Sequence, residues 1–139
     1  MPLTLILTEG LMPREQHAPT IARLCEAFLR LHGLLGNAFL TPNVIGHVHE
    51  VPQGATFAGL QPASVAIVEW FTPSFAFAST GLQQAYVKEA TDIVEAACGG
   101  KQPRERIWVN LKHAVDGMWG IGGRAFSNAE LGAAAQSAG

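Results

Sequence analysis

The chain has little charge to work with. Only 14% of its 139 residues are Asp, Glu, Lys or Arg, the net charge is -2, and no run of basic residues occurs. That excludes the clustered Lys and Arg on which counterion release at a nucleic-acid surface depends. Long apolar runs are missing as well: the opening PLTLIL is too short, and lacks the basic flank, for a spanning helix or a signal peptide. A cytoplasmic protein with no membrane or nucleic-acid partner is expected. There are two cysteines, Cys25 and Cys98, each among apolar residues at helical spacing, so buried free thiols are expected rather than a disulfide. GxGxxG and phosphate-loop patterns are absent, and no spacing supports a serine or cysteine triad. His47 and His49 alternate within one strand-like stretch and share a face, but a zinc site needs a further ligand that the sequence does not identify. No metal is assigned.

What is present is apolar and repeated. Hydrophobic residues make up 48% of the chain, more than a monomer of this length hides comfortably, which points to an oligomer. The stretch EVPQGATFAGL from Glu50 corresponds to HAVDGMWGIGG from His113, with Gly54 answering to Gly117 and Gly59 to Gly122, a separation of 63 residues. The same separation carries Pro2 of PLTLIL onto Val65 of VAIVEW. The chain therefore reads as one domain over residues 1–139, made of two pseudo-repeats at about 2–63 and 65–126 with a short alanine-rich tail.

Each repeat opens with an apolar strand and continues as a helix. Ile21, Leu24, Cys25, Phe28 and Leu31 recur at helical spacing, with Pro13 available for the first turn and Pro19 marking either a kink or a later start. In the second repeat Thr80 to Gln83 resembles a capping box, Leu82, Ala90, Ile93, Val94 and Ala97 form the apolar stripe, and Gly99-Gly100 ends it. VIGHVHEV and RIWVNLKH then supply second strands. Strand, helix and strand of this length predict a parallel βαβ unit. Two such units give an α/β (α+β) fold, a four-stranded sheet with two helices on one face. Leu3, Leu5, Leu7, Val65, Ile67, Val109 and Leu111 are expected on the other, bare face, covered by further subunits.

Pro2 directly follows the initiator methionine. A small second residue allows removal of Met1, which would leave Pro2 with a free secondary amine, a base; the plainer reading is a proline that opens an edge strand. With Pro2, the duplicated plan and GMWGIGG (Gly117 to Gly123), the chain resembles the tautomerase superfamily, of the 4-oxalocrotonate tautomerase-like kind. HGLLGNAFLTPN, EVPQGATFAGL and RIWVN are similar, in order and layout, to stretches of its cis-3-chloroacrylic acid dehalogenase group, and the likeness extends to about residue 126.

The resemblance implies a cofactor-independent homotrimer acting on a small 2-oxo or enol acid, with Pro2 as the catalytic proton carrier. It also implies substrate-binding roles for four residues. His32 matches a histidine that helps bind a carboxylate or carbonyl, or else is a helix-end histidine favoured by the dipole. Arg106 lies near a substrate-binding arginine of the family, or is a strand-end charge. Trp119 matches an aromatic pocket residue, or packs at an interface, or both, and Asn110 replaces a tyrosine, either to orient water or a carbonyl or as a plain strand residue.

The departures steer the reaction. Two clamp arginines of the dehalogenase group correspond to Thr72 and Phe75, its water-activating glutamate falls at Gly120, and an early arginine of the tautomerases corresponds to Leu11. Charge-assisted bonds to a carboxylate are worth about 1.5–3 kcal/mol each, so a dianionic substrate is disfavoured and dehalogenation is not expected. The reading is keto–enol proton transfer by an isomerase. Its alternatives are hydration or decarboxylation of a three-carbon acid, or a non-catalytic trimeric ligand-binding scaffold.

Overall fold

The computed structural model describes residues 1–138. Its elements run β1 (Pro2–Thr8), α1 (His17–Leu31), β2 (Ile45–Val51), the hairpin β3 (Phe57–Ala58) and β4 (Gln61–Pro62), β5 (Ala66–Pro73), α2 (Thr80–Ala97), β6 (Ile107–Ala114), the hairpin β7 (Trp119–Ile121) and β8 (Arg124–Phe126), and α3 (Asn128–Ser137). The main sheet has the order β2-β1-β5-β6. β1 is parallel to β2 and β5 to β6, while β1 and β5 meet antiparallel at the centre. Two βαβ units thus join through their first strands, with both long helices on one side of the sheet.

Alternation decides which side each strand residue faces. Leu3, Leu5 and Leu7 are fully buried beside Trp70, Val68 and Ala66, their partners across the antiparallel pair. They pack under Leu24, Phe28, Tyr86 and Val94 of the helices. This corrects the expected bare face: Leu3, Leu5, Leu7, Val109 and Leu111 belong to the helix-covered side, and only Val65 and Ile67 have the open parity. The apolar stripes of two helices claim the residue set with the most buried hydrocarbon, so the mixed set is left outside. That open face carries Ile45, His47 and His49 from β2, Pro2, Thr4 and Ile6 from β1, Ile67, Glu69 and Phe71 from β5, and Trp108, Asn110 and Lys112 from β6. Glu69 and Lys112 pair across it at 2.9 Å.

Phe28 organises the core. Its ring lies 4.6 Å from Trp70, 5.6 Å from Phe77 and 6.5 Å from Tyr86, centroid to centroid, in the tilted and edge arrangements aromatic quadrupoles favour. The Tyr86 hydroxyl donates to the Leu24 carbonyl at 3.2 Å, and the two helices are further joined by Arg30 and Glu89 at 2.5 Å.

Helix ends follow local chemistry. A 3-10 turn over Arg14–Gln16 leads into α1, which places Pro19 in the first turn of α1, where its missing N–H has no partner to lose, so no kink results. α2 begins after Ser79 rather than by a Thr80–Gln83 box: the Gln83 side chain donates instead to the Phe77 carbonyl at 2.7 Å. Its end is closed by Gly99 and Gly100, both at positive φ. The paired hairpin glycines match in conformation, Gly54 and Gly117 at φ 83° and 80°, Gly59 and Gly122 both at 58°. The alanine-rich tail forms α3, opened by a capping box in which Ser127 and Glu130 each satisfy the other's backbone N–H.

Candidate active site

β1 starts at an apolar cavity of about 260 Å³. Its walls come from the end of α1 (Phe28, His32), the connection to β2 (Phe39, Leu40, Asn43), the segment after β5 (Phe75, Ala76), β7 (Trp119, Ile121) and α3 (Leu131, Gly132, Ala135). Met1 lines the same cavity and is only 9% exposed. Its amine donates to the Asn43 carbonyl, and its carbonyl accepts the Ile45 N–H at 3.1 Å. Burial lowers the pKa of this amine from 8.0 to about 6, against a smaller opposing effect of Cys25. Water that would hydrate the cation is excluded, so the neutral amine gains. Burial also raises the Cys25 thiol to about 11, leaving it uncharged and poorly nucleophilic at neutral pH.

The chain end is held by a braced loop. Buried Asn37 accepts from the Phe39 and Leu40 N–H groups at 3.1 and 2.8 Å and donates to the Ala135 carbonyl of α3 at 2.7 Å. Asn43 Nδ2 donates to the Phe39 carbonyl at 2.7 Å. Together these contacts fix the Asn43 carbonyl that meets the terminal amine.

The fold brings two of the residues marked in the sequence, His32 and Trp119, to the cavity wall, and Pro2 follows the Met1 that lines it. Pro2 heads β1, with its nitrogen in the peptide bond to Met1 and its ring on the open sheet face beside Phe71 and Lys112. Trp119 is buried in the cavity wall, its ring 5.7 Å from that of Phe71. His32 lies in the wall too, but Nδ1 faces the Phe28 carbonyl at 2.7 Å and Nε2 the Ala76 carbonyl at 2.6 Å. A neutral imidazole donates only once and an imidazolium twice, so both donor positions point at the backbone and neither at the cavity. His32 ties the end of α1 to the segment after β5.

Arg106 and Asn110 lie elsewhere. Arg106 is exposed at the start of β6, beside a second hollow lined by Phe57, Val65 and Trp108. Asn110 sits on the open face in register with Glu69. Phe75, at one expected arginine position, supplies an apolar wall, while Thr72 is buried and points its hydroxyl toward the Lys112 carbonyl at 3.4 Å. No Lys or Arg side chain lines the cavity. What the sequence did not reveal is the pair of backbone groups at the chain end, the Asn43 carbonyl and the Ile45 N–H, because backbone atoms leave no residue signature. The wall from α3 was legible only in the Ser127-to-Glu130 spacing.

Among the described residues no group of three or more His, Cys, Asp or Glu could hold a metal ion. The rings of His47 and His49 lie 4.9 Å apart, and His47 Nε2 meets Thr4 Oγ1 at 3.0 Å. No helix among the described residues is long and apolar enough to cross a membrane.

No family model matches the chain, and no curated protein matches it. Solved structures do. A structure of Pt0534 inactivated by 2-oxo-3-pentynoate aligns with a TM-score of 0.75 at 18% identity, over 95% of this chain and 99% of that one. The symmetric trimer of wild-type Q0 fused 4-OT aligns at 0.75 and 16%, over 95% and 99%. N1, a member of the cis-3-chloroacrylic acid dehalogenase family, aligns at 0.73 and 15%, over 91% and 83%. At these identities the likeness is one of architecture: the chain has the four-stranded, two-helix fold of the tautomerase superfamily.

Proposed function

We propose that the chain is a tautomerase-superfamily enzyme which, once Met1 is removed, uses the Pro2 amine as general base and acid in keto–enol proton transfer on a 2-oxo or enol acid. One observation carries this reading: the chain end is buried at an apolar cavity that disfavours a charged amine. Met1 separates the Pro2 nitrogen from that cavity, so its loss would open the Pro2 amine toward the same apolar walls, and apolar surroundings draw an amine toward neutrality, where a group both accepts and returns protons efficiently.

Loss of Met1 changes two things at once. It frees the Pro2 nitrogen, and it leaves the Ile45 N–H without the carbonyl it served. A substrate oxygen takes that N–H. Pro2 then removes the enol O–H proton; the oxygen becomes the carbonyl, the C=C electron pair swings to the neighbouring carbon, and the Pro2 ammonium returns its proton there. The reverse direction begins with removal of the C–H proton. Ile45 N–H stabilises the oxygen while it carries the charge, as oriented backbone donors do in a dry site. Trp119 and Phe75 receive the apolar part of the substrate, and His32 keeps that wall in place.

Arg106 and Asn110 enter the reading through assembly. Ile45, Phe71 and Trp108 leave apolar surface on the open sheet face, each more than 40% exposed, and other copies of the chain in a homotrimer would cover it. Wild-type Q0 fused 4-OT is a symmetric trimer. Arg106 and Asn110 would then face a neighbouring copy, where Arg106 supplies the cation that the cavity lacks.

Intact-mass measurement of the protein made in cells is the first test, with loss of one methionine expected. Kinetics on phenylenolpyruvate follow: Pro2→Ala should lower kcat about 10²–10⁴-fold, the usual contribution of a positioned acid–base group. 2-Oxo-3-pentynoate should add its mass to Pro2 and to no other residue. Unchanged turnover in Pro2→Ala overturns the reading. A retained Met1 favours instead a trimeric ligand-binding scaffold, with Met1 itself occupying the site.

A further inference from the structure

α3 lies outside the region of family-like sequence, yet it forms one wall of the cavity. Leu131 is buried, and Gly132 and Ala135 line the space. The helix is tied at both ends to the other walls. At its start the Asn128 N–H donates to Asp116 Oδ1 at 2.6 Å and Asn128 Nδ2 to Ser74 Oγ at 2.8 Å. Near its end the Ala135 carbonyl accepts from Asn37 and the Ala138 carbonyl from the Ala38 N–H. These ties hold α3 against the loop that carries Asn43.

Gly132 is the unusual residue of this wall. Glycine inside a helix costs about 1 kcal/mol relative to alanine, and a protein normally gives a steric or conformational reason for it. Here there is none. Its φ is not positive, and an added Cβ would meet nothing within 4 Å. Gly46 makes the contrast, since a Cβ there would collide with Ile21. Gly132 is among the residues that line the cavity, and the place its Cβ would take is open space.

We infer that α3 sets substrate size at the Pro2 site, and that the missing side chain of Gly132 leaves room for a bulky apolar group, aryl or branched alkyl, on the substrate carbon away from the reacting carbonyl. The inference rests on the function proposed above and specifies its substrate class. Phe28, Phe39, Phe75 and Trp119 line the same space, so an aromatic ring there would meet aromatic walls, whereas a three- or four-carbon acid would leave it empty. No lining Lys or Arg offers a partner to a second carboxylate. The substrates selected are 2-oxo or enol acids with one carboxylate and a large apolar substituent.

The test is a selectivity ratio measured on the full-length mature protein, kcat/KM for phenylenolpyruvate over that for 2-hydroxybut-2-enoate. Wild type should favour the aryl substrate. Gly132→Leu should lower the ratio at least about tenfold, chiefly through KM for the aryl substrate, as expected when a pocket loses room for a few carbons. Gly132→Ala should melt higher than wild type and lower the ratio less. Ala135→Leu, one turn along the same wall, gives a second reading if Gly132→Leu does not fold. Calorimetric titration with phenylpyruvate separates the two ideas. Tenfold weaker binding in Gly132→Leu supports the size wall even where Pro2→Ala proves as active as wild type. Equal ratios and equal binding in folded Gly132→Leu and wild type overturn the inference and leave the role of Pro2 standing.

Discussion

The heads of β1 and β5 occupy matching places in the two halves and differ in one chemical respect. At β1 the Met1 carbonyl accepts from the Ile45 N–H and a buried amine lies beyond it. At β5 the Ser64 carbonyl accepts from Gln102 Nε2 at 2.9 Å, and the Val65 N–H donates to Thr8 Oγ1 at 2.9 Å. Each head adjoins a hollow, but Asn43 stands in the first half where the second has Arg106. A nitrogen inside a peptide bond has lost its basicity to resonance, so the second hollow can bind but has no base of this kind. On the function proposed above, a duplicated scaffold would therefore hold one reaction centre, because only one of its two strand heads can end in a free α-amine.

The largest test of that contrast exchanges the two heads. Placing one alanine between Met1 and Pro2, so that processing exposes alanine and Pro2 stays acylated, should lower turnover of phenylenolpyruvate at least about a hundredfold, the low end of an acid–base contribution. Val65→Pro should change it less than twofold. Equal losses in the two variants would show that strand geometry, and no free amine, limits the rate.

Packing offers a second contrast. α1 approaches β2 over Gly46, where a Cβ would collide with Ile21 Cγ2 and press on Cys25 Sγ at 3.2 Å. In the other half Val109 holds the matching position, and a hollow lined by Val109, Leu111 and Gln83 lies there between α2 and β6 residues. Gly46→Val should cost about 1–3 kcal/mol, as overpacking does, read from urea unfolding. Val109→Ala removes two methyl groups from a half-buried site and should cost less. The reverse order would mean that α1 can shift on β2 to make room for the added methyl groups.

The terminus also makes stability depend on pH. In the Met1-bearing chain the folded-state amine has its pKa lowered from 8.0 to about 6. Between those values the unfolded chain holds a proton that the folded chain has shed, so stability rises with pH across that window. The urea midpoint of a Met1-bearing variant should be higher at pH 8 than at pH 6, and an N-acetylated chain should lose the amine's share of the difference. Identical pH dependence in the two chains would place the amine in water. The smallest effect belongs to α3: Ser127→Ala removes one side of its capping box and should cost about 1 kcal/mol, detected as faster amide exchange confined to the first turn of that helix.

Much of the architecture was legible in the sequence because it rests on local signals. The glycine pairs marked both hairpins, since positive φ is costly for other residues. The Gly99-Gly100 stop and the apolar stripes located α2. Sheet parity was misread because PLTLIL and VAIVEW are apolar at both parities except for Thr4 and Glu69, and those two residues mark the open face. At the site, Pro2, His32 and Trp119 stand out through motifs; His32 and Trp119 line one cavity, and Pro2 follows the Met1 that lines it while its own ring lies on the open sheet face. The occupied nitrogens of His32 were not legible, because they depend on the Ala76 carbonyl, 44 residues away. The α3 wall was passed over because alanine content suggested a tail, although the Ser127-to-Glu130 spacing signalled a helix start.

The two outer strands of the main sheet are different segments, β2 on one side and β6 on the other. Copies that joined β2 of one to β6 of the next would do so head to tail, whereas β2 against β2 closes as a two-fold pair; the head-to-tail contact has no built-in stop and either bends round to meet its own beginning or continues as a filament. In an assembly of that β2-to-β6 kind sheet curvature would decide between the two, and a substitution that flattened the twist would favour the fibre over the ring without touching a single contact residue.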